Sequence, residues 1–178
     1  MVFLVASLLS SFRILQGAIF LKGRHTPNRT DGFSVIIKSK NMKKLDERAK
    51  KVFVKIYSLL NEEGYVKINN SDGVFMPLCV EKVGTVIMND IEFEKISLAH
   101  YYEQNGDLMA DPEMIFLYNN KFQDFIYPVY FKQDNLAMEE DSLIMEGQTV
   151  KEYRVNRQNQ HNRFANIWLK NLKWQQDL

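Results

Sequence analysis

Residues 96–118 read ISLAHYYEQNGDLMADPEMIFLY and hold two strand-like apolar runs separated by turn residues. In the first run, side chains from residue 96 to residue 104 alternate in a pattern typical of a half-buried strand, with even and odd positions on opposite faces. The pair Asn105-Gly106 follows, and it is a strong hairpin signal because both residues tolerate positive φ. A strand-like pattern returns from residue 113 to residue 118. The stretch therefore predicts a β-hairpin.

The six residues 107–112 form an acidic connection in this interpretation, since Pro112 biases Asp111 away from helical backbone angles. Asp107, Asp111 and Glu113 lie within seven residues of one another. Carboxylate oxygens are the ligands that Mg²⁺ and Ca²⁺ prefer. Asp in a turn also caps its own backbone amides, and Asp-Pro is ordinary turn chemistry. Two readings stay open, a divalent-cation site or turn-forming carboxylates with no cofactor.

His100 and Glu103 lie on the strand that leads into the turn. A histidine titrates near neutral pH and can act as a general base, with a carboxylate as its orienting group. In an ideal strand these two side chains point to opposite faces, so a β-bulge would be needed for them to cooperate. The alternative is that His100 is a strand histidine with its hydrogen bonds satisfied inside the fold.

Residues 97–114 resemble the hallmark of a family of uncharacterised bacterial and phage domains, a domain of unknown function often found on conjugative elements and phages. The shared features are a His-Tyr strand, Asn-Gly-Asp, Asp-Pro-Glu-Met, and a closing helix with Phe-Ala-Asn and Trp. In this chain they are residues 100–101, 105–107, 111–114, 164–166 and Trp168. The resemblance covers residues 42–178. It implies an accessory domain of a mobile element and carries no activity with it.

Composition narrows the class of protein further. The single cysteine, Cys79, excludes an intramolecular disulfide framework and indicates a reducing compartment, which we take to be the cytoplasm. The formal net charge is +1, but residues 64–150 hold five basic and fifteen acidic residues, whereas residues 151–178 hold six and two. This asymmetry predicts an acidic sheet region and a basic C-terminal segment, which bears on the choice of partner.

We assign residues 42–178 to a single α+β domain and residues 1–41 to a leader outside it. The leader is either translated upstream sequence or a membrane anchor. A spanning helix needs about 20 apolar residues, and Arg13 interrupts the apolar run near its middle. We therefore expect no membrane association.

An amphipathic helix is predicted for residues 42–63 and a second helix for residues 159–176. Between them, short apolar runs joined by polar turns predict an antiparallel meander of about five or six strands. Residues 133–150 are weakly patterned and acidic, which indicates a long loop with some helix near residues 136–141. The expected fold class is α+β, an antiparallel sheet flanked by an N-terminal and a C-terminal helix.

Three functions are compatible with these patterns. The first is a non-catalytic domain that binds a protein partner, for example in anti-defence or regulation, through Tyr101, Tyr102, Asn105, Asp107, Asp111 and Glu113. The second is a metal-dependent hydrolase or nuclease that uses the acidic hairpin. The third is nucleic-acid binding by the two basic helices, with candidates Arg163, Lys170, Lys173 and Trp174. No Gly-rich phosphate loop or nucleophile elbow is present to indicate another enzyme class or a small-molecule cofactor.

Overall fold

The computed structural model describes residues 42–178 and the backbone of residues 36–37. The predictions for the leader therefore fall outside the described residues, apart from this short strand. The strand, β1 (Ile36–Ile37), pairs antiparallel with Tyr153 and Arg154, in the last strand along the chain. Within the described part of the chain, no helix has the length and apolar character needed to cross a membrane.

Helix α1 (Glu47–Tyr57) begins at Asp46, whose carboxylate accepts the backbone N–H groups of Arg48 and Ala49. This cap satisfies two of the amide groups that a helix start leaves without partners. Ala49, Val52, Phe53 and Ile56 are buried on one face, as their i, i+3, i+4, i+7 spacing requires. The predicted helix is therefore present, but it is shorter at both ends than residues 42–63.

The sheet contains nine strands in the described residues and is mostly antiparallel. After β1 come β2 (Tyr65–Ile68), β3 (Leu78–Met88), β4 (Ile91–Gln104), β5 (Asp107–Tyr118), β6 (Ile126–Gln133), β7 (Met138–Asp141), β8 (Leu143–Glu146) and β9 (Thr149–Arg154). The order along the sheet is β1-β9-β3-β4-β5-β6-β7. The antiparallel α+β fold is confirmed. Among the strands that the structure describes, one pairing is parallel, between β3 and β9, and it departs from a simple meander.

The sheet curves back on itself at Ser142, which lies between β7 and β8. Its N–H donates to the carbonyl of Val129 in β6 at 2.9 Å, and its own carbonyl accepts the N–H of Arg154 in β9 at 2.7 Å. The prediction of a loop over residues 133–150 is therefore wrong. The polar side chains of this segment show little strand-like alternation, whereas backbone pairing with β6 and β9 holds the segment extended.

Helix α2 (Val155–Gln175) packs across one face of the sheet. Its Phe164 ring lies 5.2 Å from Phe131 of β6, and Trp168 lies 5.8 Å from the His100 imidazole of β4. Helix α1 covers the same face through Phe53, whose ring lies 5.1 Å from that of Phe116. We call this the helical face of the sheet, and its opposite the outer face.

Candidate functional site

The central hairpin is present, but it has no acidic connection. Asn105 and Gly106 form the turn at positive φ, and β5 begins at once with Asp107. That part of the prediction is wrong because ladder pairing with β4 keeps the segment extended despite its Pro. The register shifts by one residue opposite His100, where Asp111-Pro112 forms a bulge with a cis peptide bond.

His100 is buried in β4. Its Nδ1 donates to the carbonyl oxygen of Pro77 at 2.9 Å, which fixes the tautomer because a carbonyl can only accept. The ring packs edge-on against Trp168 under the helical face. Burial lowers the pKa of His100 below its ordinary value, so the ring is neutral at physiological pH.

Glu103 lies near the exposed tip of the hairpin, beside Asn105 and Asp107. No contact between Glu103 and His100 is seen in the described structure, and the bulge is on β5 rather than on the strand that carries both residues. The Tyr102 hydroxyl reaches only Gln104, at 3.4 Å. The geometry therefore gives no support to a base and its orienting carboxylate at these two positions.

The three carboxylates of the hairpin have separate surroundings. Asp107 is exposed at the tip, whereas Asp111 is buried and accepts a 2.6 Å hydrogen bond from the amide of Gln133. Glu113 accepts a 2.7 Å hydrogen bond from the Ser97 hydroxyl. Among residues 42–178, no three His, Cys, Asp or Glu side chains converge in a way that could hold a metal ion.

Glu113 instead borders a shallow recess on the outer face, because its hydrogen-bond partner Ser97 lines that recess. The recess measures about 270 Å³ and is lined by Tyr65, Lys67, Pro77, Cys79, Glu81, Ser97, Tyr101 and Leu108. Burial, with the nearby Glu113 carboxylate, raises the pKa of Tyr101 to about 12. Tyr101 therefore keeps its hydroxyl proton. The recess combines the Tyr101 phenol, the Glu81 carboxylate and the Lys67 ammonium in its lining, with the Glu113 carboxylate at its border.

A second and larger concavity lies between the two helices. This groove measures about 490 Å³ and is lined by Arg48, Lys51, Val52, Lys55, Lys170, Lys173 and Leu178. Five of the seven lining side chains are cationic. We call it the basic groove. Sequence reasoning singled out Lys170 and Lys173 but did not bring them together with α1.

Two polar contacts hold the helices in the position that forms the groove. The Lys170 Nζ lies 2.6 Å from Asp46 Oδ2, and the Asp46 N–H donates to Asn166 Oδ1 at 2.8 Å. Arg48, Lys51, Lys55 and Lys173 make no ion pair with any residue that the structure describes. All four are exposed residues.

Trp174 and Arg163 extend this basic surface along α2. Both are exposed, and they lie on the same stripe as Lys170 because residues four and seven apart share a helix face. Ile167 is 41 % exposed on that stripe. Leu169 of the same helix is buried.

Sequence reasoning missed one polar cluster, at the contact of α2 with β7. His161 is fully buried, and its Nε2 lies 3.8 Å from Glu140 Oε2. Arg157 Nε lies 3.8 Å from the other oxygen of the same carboxylate. Nearby His161 and Arg157 hold the pKa of Glu140 below its ordinary value. The sequence gives no sign of this cluster because the polar pattern of residues 133–150 predicts a loop, whereas Glu140 lies on the strand β7.

Comparison with known proteins places the chain in a family. No curated protein and no solved structure shows significant similarity to it. The model of a family described as "Domain of unknown function (DUF6908)" matches residues 47–178. The match contains the central hairpin, both helices and the basic groove between them. The chain therefore belongs to this family of domains of unknown function, DUF6908.

Proposed function

We propose that this domain binds nucleic acid through the basic groove and does not catalyse a reaction there. The observation that carries the proposal is the convergence of five cationic side chains from two helices on one concavity of about 490 Å³. Phosphate backbones are recognised by lysine and arginine side chains arranged along such a surface.

Charge on the two helices supports this reading. Arg48, Lys51 and Lys55 follow each other at three- and four-residue spacing on α1, so their charges lie on one side of the helix. Like charges at this spacing repel each other and destabilise a helix slightly. A bound polyanion would relieve that repulsion. Only Lys170 among the five has a carboxylate partner in the described structure, and that partner is Asp46.

Acidic groups on the outer face and at the hairpin tip favour one orientation of a bound polyanion. The recess on the outer face is bordered by Glu81 and Glu113, and the hairpin tip carries Glu103 and Asp107. A nucleic acid is repelled from that side and attracted to the helices. A binding domain of this kind fits an accessory role on a phage or conjugative element, which is the setting that the sequence resemblance implies.

The test is a fluorescence-anisotropy titration of the full chain with a fluorescein-labelled oligonucleotide at low salt. We compare Lys51→Glu/Lys55→Glu, which reverses two charges in the groove, with the matched control Lys67→Glu/Lys121→Glu. The control reverses two exposed charges elsewhere, so both variants have the same net charge. We expect the groove variant to bind at least about tenfold more weakly and the control to bind nearly as wild type. Equal losses, or no binding by wild type, would refute the proposal.

A second candidate is the binding of a basic protein segment on the outer face. Glu81 in the lining of the recess and Glu113 at its border favour it, since carboxylates complement a lysine or arginine side chain. A natural form is a regulatory or anti-defence domain that engages a basic host protein. Pull-down with the Tyr101→Ala variant as the control would test it. A partner retained equally by wild type and variant would exclude the recess as its site.

A further inference from the structure

We infer that the nucleic acid bound in the basic groove is single-stranded, with Trp174 as a platform on which an unpaired base stacks. This inference rests on the proposed function and adds the class of ligand. Its starting observation is that Trp174 is 68 % exposed. An indole exposed to this degree leaves much of a large apolar surface in contact with water.

Neighbouring groups hold Trp174 in place. The Phe75 ring contacts it edge-on with centroids 5.1 Å apart. The loop that carries Phe75 is tied to the end of α2 by Gln176, whose side chain donates to the carbonyl of Met76 at 2.9 Å and accepts the N–H of Asn70 at 3.1 Å. The indole is therefore supported on one side while remaining open to solvent.

Trp174 also has the right position relative to the cations. It follows Lys173, which lines the groove, and lies one helical turn from Lys170, which also lines it. Together, Arg163, Lys170 and Trp174 span roughly 16 Å along the helix axis, at about 1.5 Å per residue. A strand whose phosphates follow the groove would thus bring its bases to the indole.

The exposed indole decides between duplex and single strand. In a duplex the bases are stacked on each other, so an aromatic side chain reaches their faces only after unstacking, which costs a few kcal/mol per step. In a single strand the base faces are accessible, and stacking on an aromatic side chain accepts any base. A basic groove next to a supported, exposed tryptophan is therefore a single-strand site.

The experiment uses the intrinsic fluorescence of the full chain, titrated with an unlabelled single strand and with the duplex of the same sequence. The chain has two tryptophans, and Trp168 is 1 % exposed beneath the sheet, so quenching by a bound base reports on Trp174. We expect strong quenching by the single strand and little by the duplex. Quenching that is equal for the two ligands would overturn the inference.

Variants separate this inference from the proposed function. Trp174→Ala should weaken single-strand binding by about 5- to 150-fold, the range for loss of one stacked base, and should leave duplex binding unchanged. Trp174→Phe should retain most of the affinity. The control is Phe122→Ala, which removes another exposed aromatic side chain, one that lines neither the basic groove nor the recess, and should bind as wild type.

The two failures are distinguishable. If Lys51→Glu/Lys55→Glu abolishes binding but Trp174→Ala binds a single strand as wild type does, the groove function stands and the single-strand inference is wrong. If the groove variant binds normally, the proposed function is itself wrong. Near-ultraviolet circular dichroism of buried Trp168 verifies that each variant is folded.

Discussion

Lys170 Nζ lies 2.6 Å from Asp46 Oδ2, and this contact joins the start of α1 to the C-terminal third of α2 across 124 residues of sequence. The same carboxylate caps α1 through its other oxygen, which accepts the N–H groups of Arg48 and Ala49. One side chain thus caps α1 and links it to α2, the two helices that line the basic groove.

Substitution of Asp46 should separate these two roles. Asp46→Ala removes the cap and the ion pair, and we expect the free energy of unfolding to fall by about 1 kcal/mol, within the range of about 0.5–2 kcal/mol for loss of an N-cap. Asp46→Asn keeps a cap acceptor but removes the charge, so its loss should be smaller, as for most exposed ion pairs. Urea denaturation of both variants measures the difference. Equal losses would show that the ion pair, not the cap, is the stabilising contact.

The salt dependence of nucleic-acid affinity should report how many cations of the groove contact phosphates. For a single strand, the logarithm of the affinity falls with the logarithm of salt concentration with a slope of about −0.7 per neutralised phosphate. Lys173→Ala should therefore make the slope shallower by about 0.7, and Lys55→Ala should do the same. Titration at several salt concentrations measures this. An unchanged slope would mean that the altered side chain does not contact a phosphate.

The hairpin carboxylates should have unequal effects on stability. Asp111→Ala leaves the buried amide of Gln133 without its acceptor, and we expect a cost of about 1–3 kcal/mol. Asp107→Ala removes an exposed side chain and should lie within about 0.5 kcal/mol of wild type. Chemical denaturation at neutral pH makes the comparison.

Asp111→Asn is the informative control for that pair. Burial raises the pKa of Asp111 above its ordinary value, so the charged form costs stability as pH rises through the unfolded and then the folded pKa. The amide can still accept from Gln133 without a charge, and we expect the variant to match or exceed wild type at neutral pH. If Mg²⁺ instead raised the wild-type melting temperature and left this variant unchanged, Asp111 would be a metal ligand.

His100 should make stability depend on pH. Its pKa is lowered by burial in the folded protein, whereas in the unfolded chain it is about 6.5. Below pH about 6.5, His100 binds a proton in the unfolded state but not in the folded state. Stability should therefore fall as pH drops below about 6.5, by at most about 1.4 kcal/mol per pH unit until the folded pKa is reached. The fall should end where the folded protein also protonates.

Denaturation at a series of pH values between neutral and mildly acidic compares wild type with His100→Gln. Glutamine can still donate to the carbonyl of Pro77 but does not titrate, so the variant should lose less stability on acidification. An identical pH profile for the two proteins would assign the acid sensitivity to other groups, with Glu140 beside His161 the next to test.

Much of the architecture followed from local sequence. Asn105-Gly106 determined the hairpin because few residue pairs adopt two successive positive φ angles. The apolar spacing of Val52, Phe53 and Ile56 determined the buried face of α1 because that period matches the helical repeat. The strands β7 and β8 could not be predicted in this way, since backbone pairing with distant strands, not side-chain periodicity, keeps them extended.

The same distinction between local sequence and tertiary structure applies to the candidate site. The sequence by itself determined that α1 and α2 carry basic residues and that Trp174 lies among those of α2, because helical spacing is a local property. Only the tertiary structure decided that Lys51 and Lys55 line one groove with Lys170 and Lys173. It also decided that Asp111 accepts a hydrogen bond from Gln133 and Glu113 one from Ser97. Those relationships join residues far apart in the chain, and the packing of helices on a curved sheet sets them.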